Sequence, residues 1–426
     1  MEKVRVKITD IGYDGEGIGR INGKVCFVPF ALPGETIDGN VCLEKSKFVQ
    51  VMVRDVVQKS KDRVKPHCKY YGVCGGCALE HLDYAAQLEY KKMLVARTLK
   101  KYADVDCDVL PVLSSNNKYG YRNKVTLFVS FADGKVQIGL YKVSSHDVVG
   151  IERCEIVKDE INDAIMRVRK CVEKNVNLFS SMGLKAVMIR AVGSGRQIVF
   201  VCDKFKKVED VGQYFEDFDD VFVCENKKSA NLTGRIKKLF GSDALIYKQC
   251  GITASVWPKS FLQVNDEMSM LLYEYVANLV DAEVVINAYS GAGLLSAMIA
   301  KSAKKVIGIE INKDAHKSAE ELKIKNKIEN LTNICGDCKK LLAGEVKSCL
   351  ADAIVLDPPR AGVGEETMRV LDKSGVKNII YISCNPATLA RDLKSLTEYS
   401  LKSVQPLDMF PETPDVETVV KLEKIK

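Results

Sequence analysis

The C-terminal part of the chain alternates continuous apolar runs with segments of helical periodicity. From about residue 256 the apolar runs are EVVINAY, KKVIGIEI, LTNICGD, ADAIVLDPP and KNIIYIS, and helical segments such as DAHKSAEELKIKN lie between them. Strands that are apolar throughout are typical of a parallel sheet covered by helices on both faces. The pattern predicts a doubly wound, Rossmann-like α/β domain over residues 256–426. Two final strand-like segments, LKSVQPLDMF and ETVVKLEK, are too close for a crossover helix, so we expect an antiparallel hairpin at one edge.

Two different regions precede this domain. Residues 1–58 contain short alternating runs separated by glycine-rich turns, which favours a small β-barrel of the oligonucleotide-binding type, or equally a barrel without a nucleic-acid role. Residues 59–255 mix strands with a helix near residues 158–175, which predicts an α+β domain. An amphipathic helix within residues 80–110, with Val95 and Leu99 on its apolar face, is expected to pack on the C-terminal domain.

Length and composition limit the possible classes. A chain of 426 residues is too long for one ordinary core, and its net charge of +7 favours a polyanionic partner without proving one. Neither a signal peptide nor an apolar run long enough to span a bilayer is visible, so a cytoplasmic protein without membrane contact is expected. Fifteen cysteines, an odd number, favour free thiols and metal ligation over disulfides. A monomer is the default expectation.

Ligands of doubly wound sheets bind beyond the carboxyl ends of the strands. The first strand ends in NAYSGAG, where Gly291 allows a tight turn, and the second ends at Glu310, an acid suited to ribose hydroxyls. Asp337 follows the third strand, where it can contact an adenine or only cap the next helix. A third glycine is missing from the turn, so S-adenosylmethionine is favoured over a nicotinamide cofactor.

The fourth strand ends in DPPR, in which two prolines fix the position of Asp357. Methyltransferases that act on exocyclic amines have an aromatic residue where this chain has Arg360. The difference favours carbon as the methyl acceptor.

Cys384 follows the fifth strand and precedes a helix capped by Asn385, with Pro386 at its first position. A lone cysteine is commonly structural, but a helix N-terminus favours the thiolate, and this one lies at the predicted donor edge. A thiolate that adds to carbon 6 of a pyrimidine activates carbon 5 for methylation. A base must then remove the carbon-5 proton, and Glu417, at the start of the last strand, is the candidate; otherwise it is a surface acid.

Three cysteines, Cys68, Cys74 and Cys77, have the spacing C-x5-C-x2-C. With a distant fourth thiolate they suit zinc or an iron-sulfur cluster. The spacing does not choose the fourth ligand among Cys107, Cys154 and Cys171.

Taken together, these motifs resemble the RNA 5-methyluridine methyltransferases, in the branch with an N-terminal TRAM domain and an iron-sulfur cluster. The resemblance covers nearly the whole chain through ITDIGYDGEGIGR, CKYYGVCGGCALEHLDYAAQLEYK, YGYRNKVTLF, SFLQVND, NAYSGAG, DPPRAG, SCNPATLARD and MFPETPDVE. It implies a [4Fe-4S] cluster with Cys154 as fourth ligand, Cys384 as nucleophile and Glu417 as base. It also implies donor contacts by Gln263, Tyr289, Glu310, Asp337 and Asp357.

The implied reaction is methylation of carbon 5 of a uridine in structured RNA, with S-adenosylmethionine as donor. The branch favours 23S rRNA as the target, and tRNA uridine 54 stays open. Other interpretations are a cytosine-carbon-5 RNA methyltransferase and a non-catalytic RNA-binding protein. The chain departs from the family pattern at Asp415, where histidine is usual, and at Asn287, where aspartate is usual.

Overall fold

The N-terminal region forms a closed five-stranded barrel. The computed structural model describes residues 2–132, 135–206, 211–216 and 219–425. The barrel strands are β1 Lys3–Ile11, β2 Gly17–Ile21, β3 Lys24–Val28, β4 Thr36–Glu44 and β5 Phe48–Gln58. They pair in the order β1-β2-β3-β5-β4. Alternating residues such as Val6, Ile8 and Val51 fill the barrel interior, so the predicted barrel is confirmed.

Helix α1 (Tyr84–Ala103) connects the barrel to the C-terminal domain. Asp83 caps its first turn by accepting a hydrogen bond from Ala85 N. Val95 and Leu99 belong to the core of the C-terminal domain, whereas Tyr90 packs with barrel residues. The barrel is therefore held against the C-terminal domain by a buried helix and not only by a linker.

The central region is a seven-stranded sheet with helices on one face. Its strands and helices are β6 Lys124–Ala132, β7 Lys135–Tyr141, β8 Val148–Gly150, α2 Asp159–Lys174, α3 Val176–Met182, β9 Leu184–Val192, β10 Gly195–Cys202, β11 Asp219–Glu225 and β12 Arg235–Phe240, with a 3-10 turn at Val211–Tyr214. The strand order is β12-β11-β10-β9-β6-β7-β8. The helix expected near residues 158–175 is confirmed as α2.

A short hairpin of β13 (Leu245–Gln249) and β14 (Ile252–Val256) follows the central sheet. We expected the C-terminal domain to begin after it, but Tyr247 and Ile252 are part of the core that also contains Val285 of that domain. An isolated two-stranded hairpin has too little apolar surface to be stable alone, so it packs on the nearest helices. By its packing, the hairpin belongs with the C-terminal domain, although its sequence pattern had placed it before that domain.

The C-terminal domain is doubly wound, as predicted. Its elements are α4 Asp266–Leu279, β15 Val284–Ala288, α5 Leu294–Ile299, β16 Lys305–Glu310, α6 Lys313–Lys325, β17 Leu331–Cys335, α7 Cys338–Cys349, β18 Ala353–Leu356, α8 Glu365–Asp372, β19 Asn378–Ser383, α9 Pro386–Leu393, β20 Tyr399–Leu407 and β21 Glu417–Lys424. The sheet order is β17-β16-β15-β18-β19-β21-β20, and β20 and β21 form the expected antiparallel edge hairpin. Within the described ranges, every helix is too short or too polar to cross a bilayer.

Candidate active site

The carboxyl ends of four parallel strands meet at one edge of the C-terminal sheet. Ala288 pairs with both Ile309 and Leu356, and Leu356 pairs with Tyr381. The residues that follow these strands therefore lie side by side along that edge. Asp357 N donates to the Ala288 carbonyl at 3.3 Å, which fixes the start of the DPPR loop beside the first strand.

The strand register brings the predicted nucleophile and base together. In the antiparallel pair of β19 and β21, Ser383 is opposite Thr418. Cys384 directly follows the last paired residue of β19, and Glu417 directly precedes the last residue of β21 that pairs with β19. The charge of Glu417 acts on the Cys384 thiol, so the two side chains lie near each other. Asn385 caps α9 behind the cysteine, as its sequence predicts. Two groups that are 33 positions apart in sequence thus face one site.

Glu417 is a buried carboxyl with an unusual environment. The residue is only 4% exposed. Burial raises the pKa of Glu417 well above its usual value, the nearby Asp357 and Asp415 carboxylates raise it further, and Arg360 opposes them. A carboxyl in such a site is suited to accept a proton once a neighbouring positive charge lowers that pKa.

Asp415, at the position where the family usually has histidine, forms an ion pair with Arg360 at 2.5 Å. The pair connects the DPPR loop to the segment that leads into Glu417. The Arg360 side chain is 69% exposed and that of Asp415 is 43% exposed, so the pair contributes little to the stability of the fold and mainly orients the two loops.

The state of the Cys384 thiol differs from our expectation. We predicted that the start of α9 would favour the thiolate, but the pKa of Cys384 is raised to about 11. Burial is the main cause, the charge of Glu417 adds to it, and Arg360 only partly compensates. The expectation was wrong because burial and the nearby carboxylates raise the pKa of the thiol by more than the start of α9 lowers it.

The loop after β15 has the geometry of a ligand-binding turn. Tyr289 and Gly291 both adopt positive φ, at 62° and 56°. Gly291 N donates to a Glu310 carboxylate oxygen at 2.9 Å, so the acid at the end of β16 is held against this loop. The Tyr289 hydroxyl is buried with no hydrogen-bond partner among the described residues, an arrangement that a ligand would satisfy.

The remaining predicted donor residues are Gln263 and Asp337. Gln263 is buried in the segment before α4, where Asn123 donates to its carbonyl at 2.9 Å. Asp337 accepts a hydrogen bond from Lys339 N at 3.0 Å and so caps α7, which is one of the two roles that the sequence left open. Its charge also raises the pKa of Tyr289, so it lies near the ligand-binding turn. Asn287 donates to Ser296 at 2.8 Å, so this departure from the family pattern serves local packing.

Four cysteines from two separate segments of the chain line one pocket. Cys68, Cys74, Cys77 and Cys154 line a cavity of about 40 Å³ whose walls include Leu140 and Ile151. Backbone N–H groups donate to two of the sulfurs, from Tyr70 to Cys68 and from Gly76 to Cys74, both at 3.4 Å. Among the described residues, neither Cys107 nor Cys171 lines this pocket. In the part of the chain that the structure describes, no three such side chains are close enough to hold a single metal ion.

The cysteine pocket is directly connected to the segment before Glu417. Ala78 N and Leu79 N both donate to the Glu412 carbonyl at 3.1 Å. From α1, Lys91 forms a buried ion pair with Asp408 at 2.5 Å. Sequence analysis did not find these positioning contacts, because they join residues more than 300 positions apart and carry no local signal.

The strand order and the loops at its edge define the class of protein. A sheet in this order with a glycine turn, an acid after the second strand and a DPPR loop is the fold of S-adenosylmethionine-dependent methyltransferases. The sequence matches the family described as tRNA (Uracil-5-)-methyltransferase over residues 83–425, and the TRAM domain over residues 1–41. The chain belongs to this uracil-5-methyltransferase family, and it is an RNA methyltransferase.

Similar proteins agree over the full length. An "Uncharacterized RNA methyltransferase" of Clostridium tetani is 35% identical, over 97% of this chain and 94% of the relative. A protein of the same description from Listeria monocytogenes is 32% identical, over 99% and 97%. Among solved structures, the Pyrococcus abyssi tRNA (uracil-54, C5)-methyltransferase in complex with S-adenosyl-L-homocysteine has a TM-score of 0.80 at 28% identity, covering 98% of this chain and 99% of that chain.

Proposed function

We propose that the protein methylates carbon 5 of a uridine in RNA through a covalent adduct between Cys384 and carbon 6 of the base. The observation that carries the proposal is the pairing of β19 with β21, which ends at Ser383 and Thr418 and leaves the adjoining Cys384 within the electrostatic influence of Glu417. Asp357 lies next to them at the edge where the donor would bind. The proposed reaction needs a nucleophile for carbon 6 and an acceptor for the carbon-5 proton, and Cys384 and Glu417 would supply them.

Each side chain has a defined role in this proposal. Cys384 gives its proton to solvent, and the resulting thiolate adds to carbon 6. The addition moves the electron pair of the carbon 5–carbon 6 double bond toward the carbon-4 carbonyl. Bound S-adenosylmethionine supplies the methyl group that carbon 5 accepts. Glu417 then takes the proton from carbon 5, the double bond re-forms, and the Cys384 thiolate leaves. The target uridine must leave its stack to reach this buried pair.

The residues present fit S-adenosylmethionine. Glu310 is held against the glycine turn, where it would meet ribose hydroxyls, and Tyr289 has a buried hydroxyl without a partner among the described residues. The charge of Asp337 reaches Tyr289, and Gln263 is the buried residue of SFLQVND that the resemblance assigns to the donor. Gly291 leaves room above the turn, because a Cβ there would meet no atom within 4 Å. Asp357 is the carboxyl that would face the positive sulfonium group.

The pH dependence of donor binding tests the role of Asp357. Burial raises the pKa of Asp357 to about 7, so below that pH the carboxyl is neutral and must lose a proton to face a cation. We expect the affinity for S-adenosylmethionine to fall by up to about tenfold per pH unit below pH 7, measured by calorimetry. S-adenosylhomocysteine, which lacks the sulfonium charge, serves as the control and should change much less. Asp357→Asn should remove the difference, and equal pH profiles for the two ligands with the unmodified protein would contradict the role.

We also propose that the cysteine pocket holds a [4Fe-4S] cluster. Four thiols, apolar walls and N–H groups directed at sulfur suit an iron-sulfur cluster. Four thiolates also suit a zinc ion, and the family resemblance is what favours the cluster. When bound, the cluster would hold the Cys77–Leu79 backbone, which in turn holds the Glu412 carbonyl. Its role in this proposal is structural.

Metal analysis of protein purified without oxygen tests the cluster. We expect iron and acid-labile sulfide in equal amounts, and Cys154→Ser should lower both because it removes one ligand. Cys171→Ser is the matched control, since Cys171 is buried in the core of the central domain and should leave the iron content unchanged. Zinc in place of iron, or an unchanged iron content in Cys154→Ser, would contradict the proposal.

As the target we propose 23S rRNA, on the ground of the resemblance to the TRAM and iron-sulfur branch. The second candidate is uridine 54 of tRNA, which the full-length likeness to the Pyrococcus abyssi tRNA enzyme favours. Unmodified transcripts of the two RNAs, incubated with the protein and labelled donor, distinguish them. We expect label in 5-methyluridine of the rRNA transcript. Label only in the tRNA would establish the second candidate, and label in 5-methylcytidine would overturn the uridine assignment.

A further inference from the structure

A tyrosine of the barrel reaches the active site of the C-terminal domain. Tyr13 lies in the loop between β1 and β2, and its hydroxyl donates to Asn385 Oδ1 at 3.1 Å. Asn385 directly follows the proposed nucleophile. The pKa of Tyr13 is raised by burial and is also influenced by Arg360, Asp415 and Cys384, which places the phenol near all three.

Tyr13 is held at both ends. The Tyr90 hydroxyl of α1 donates to the carbonyls of Gly12 and Tyr13, at 2.7 and 3.0 Å. The bond to Asn385 fixes the other end of the side chain. Tyr13 is nevertheless 44% exposed as a residue. A large aromatic side chain that is both rigid and exposed loses little conformational entropy when a ligand binds to it.

The hydrogen bond from Tyr13 to Asn385 is not needed to cap α9, the helix that follows Cys384. Asn385 Oδ1 already accepts hydrogen bonds from Ala387 N at 3.0 Å and Thr388 N at 3.5 Å. The helix cap is therefore complete without Tyr13. The bond fixes the tyrosine more than it fixes Asn385.

We propose that the Tyr13 ring is a stacking surface for an RNA base next to the target uridine, so that the barrel supplies a substrate-positioning residue to the active site. This inference rests on the function proposed above. A uridine that leaves its stack exposes the faces of the adjoining bases, and aromatic rings bind such faces in a sequence-tolerant way. The Tyr13 ring is fixed beside Asn385, which follows Cys384, so it could stack on the exposed face of a base next to the target uridine.

Steady-state kinetics with three variants tests the inference, using whichever unmodified transcript, 23S rRNA or tRNA, accepts the methyl group. Tyr13→Ala should raise the KM for RNA by roughly tenfold and change kcat by less than about threefold, because stacking contributes to binding and not to chemistry. Tyr13→Phe keeps the ring and should retain most of the affinity. Tyr102→Ala removes another half-exposed tyrosine, at the far end of α1, and should match the unmodified protein.

Two results would overturn the inference. One is an unchanged KM in Tyr13→Ala, and the other is a Tyr13→Phe defect as large as that of Tyr13→Ala, which would mean that the hydroxyl positions α9. A thermal melt of each variant identifies a defect caused by loss of folding. These outcomes leave the proposed function untouched, because methylation by the unmodified protein and its dependence on Cys384 are measured separately.

Discussion

Cys384→Ala is expected to abolish methylation while leaving RNA binding intact. Without the sulfur, carbon 5 of uracil is too weakly nucleophilic to accept a methyl group, so we expect a loss of at least about four orders of magnitude in kcat. The thiol is half-buried at the end of β19, and alanine fits this position without a charge change or a clash. RNA affinity, measured by filter binding, should stay within about twofold because the grip on the RNA is distributed over the protein surface.

Cys349→Ala provides the matched control for this experiment. Cys349 is also a half-buried cysteine of the C-terminal domain, but it lies at the end of α7, away from the strand edge. Its replacement should leave turnover unchanged. Retained turnover in Cys384→Ala would contradict the covalent mechanism, whereas loss of RNA binding together with activity would indicate a folding defect.

Glu417→Gln is expected to trap a covalent complex between protein and RNA. The amide has nearly the same shape as the carboxyl, so burial at 4% exposure is tolerated, but it does not accept the carbon-5 proton. Without that proton transfer the cysteine is not released after methylation. Single-turnover methylation should therefore continue while multiple turnover falls by about two to four orders of magnitude. The adduct should migrate as a slow band in a denaturing gel.

Glu423→Gln is the control on the same strand. Glu423 lies near the other end of β21 with a 41% exposed side chain, so its replacement should give no adduct and ordinary turnover. Two further requirements identify the band: it must need the methyl donor, and it must disappear in the double variant with Cys384→Ala. Normal multiple turnover by Glu417→Gln would remove this residue from the role of base.

The sheet and its edge were predictable because local signals determine them. Continuous apolar runs, the NAYSGAG turn and the short spacing of the last two strands each restrict the topology, and together they place Cys384 beside Glu417. Contacts between distant segments were not predictable. The packing of the hairpin β13–β14 on the C-terminal core and the contact of Tyr13 with Asn385 depend on how domains dock, for which no periodic pattern exists.

The electrostatic state of the site was the least predictable property. A helix N-terminus is visible in the sequence and favours a thiolate, but burial and the charges of Glu417 and Asp357 arise only after folding, and they raise the pKa of Cys384. The fourth cysteine of the pocket could also not be chosen from sequence spacing. Spacing left Cys107, Cys154 and Cys171 open, the family resemblance implied Cys154, and the folded chain brings Cys154 to the same pocket as the other three.

Tritium release tests the central claim most directly. RNA transcribed with uridine that carries tritium at carbon 5 is incubated with the protein and S-adenosylmethionine, and tritium in water is compared with methyl groups in RNA. Proton removal from carbon 5 predicts one tritium released for each methyl group transferred, with neither event in Cys384→Ala. Methyl transfer with tritium retained in the RNA would show that another atom is methylated, and it would contradict the proposed reaction.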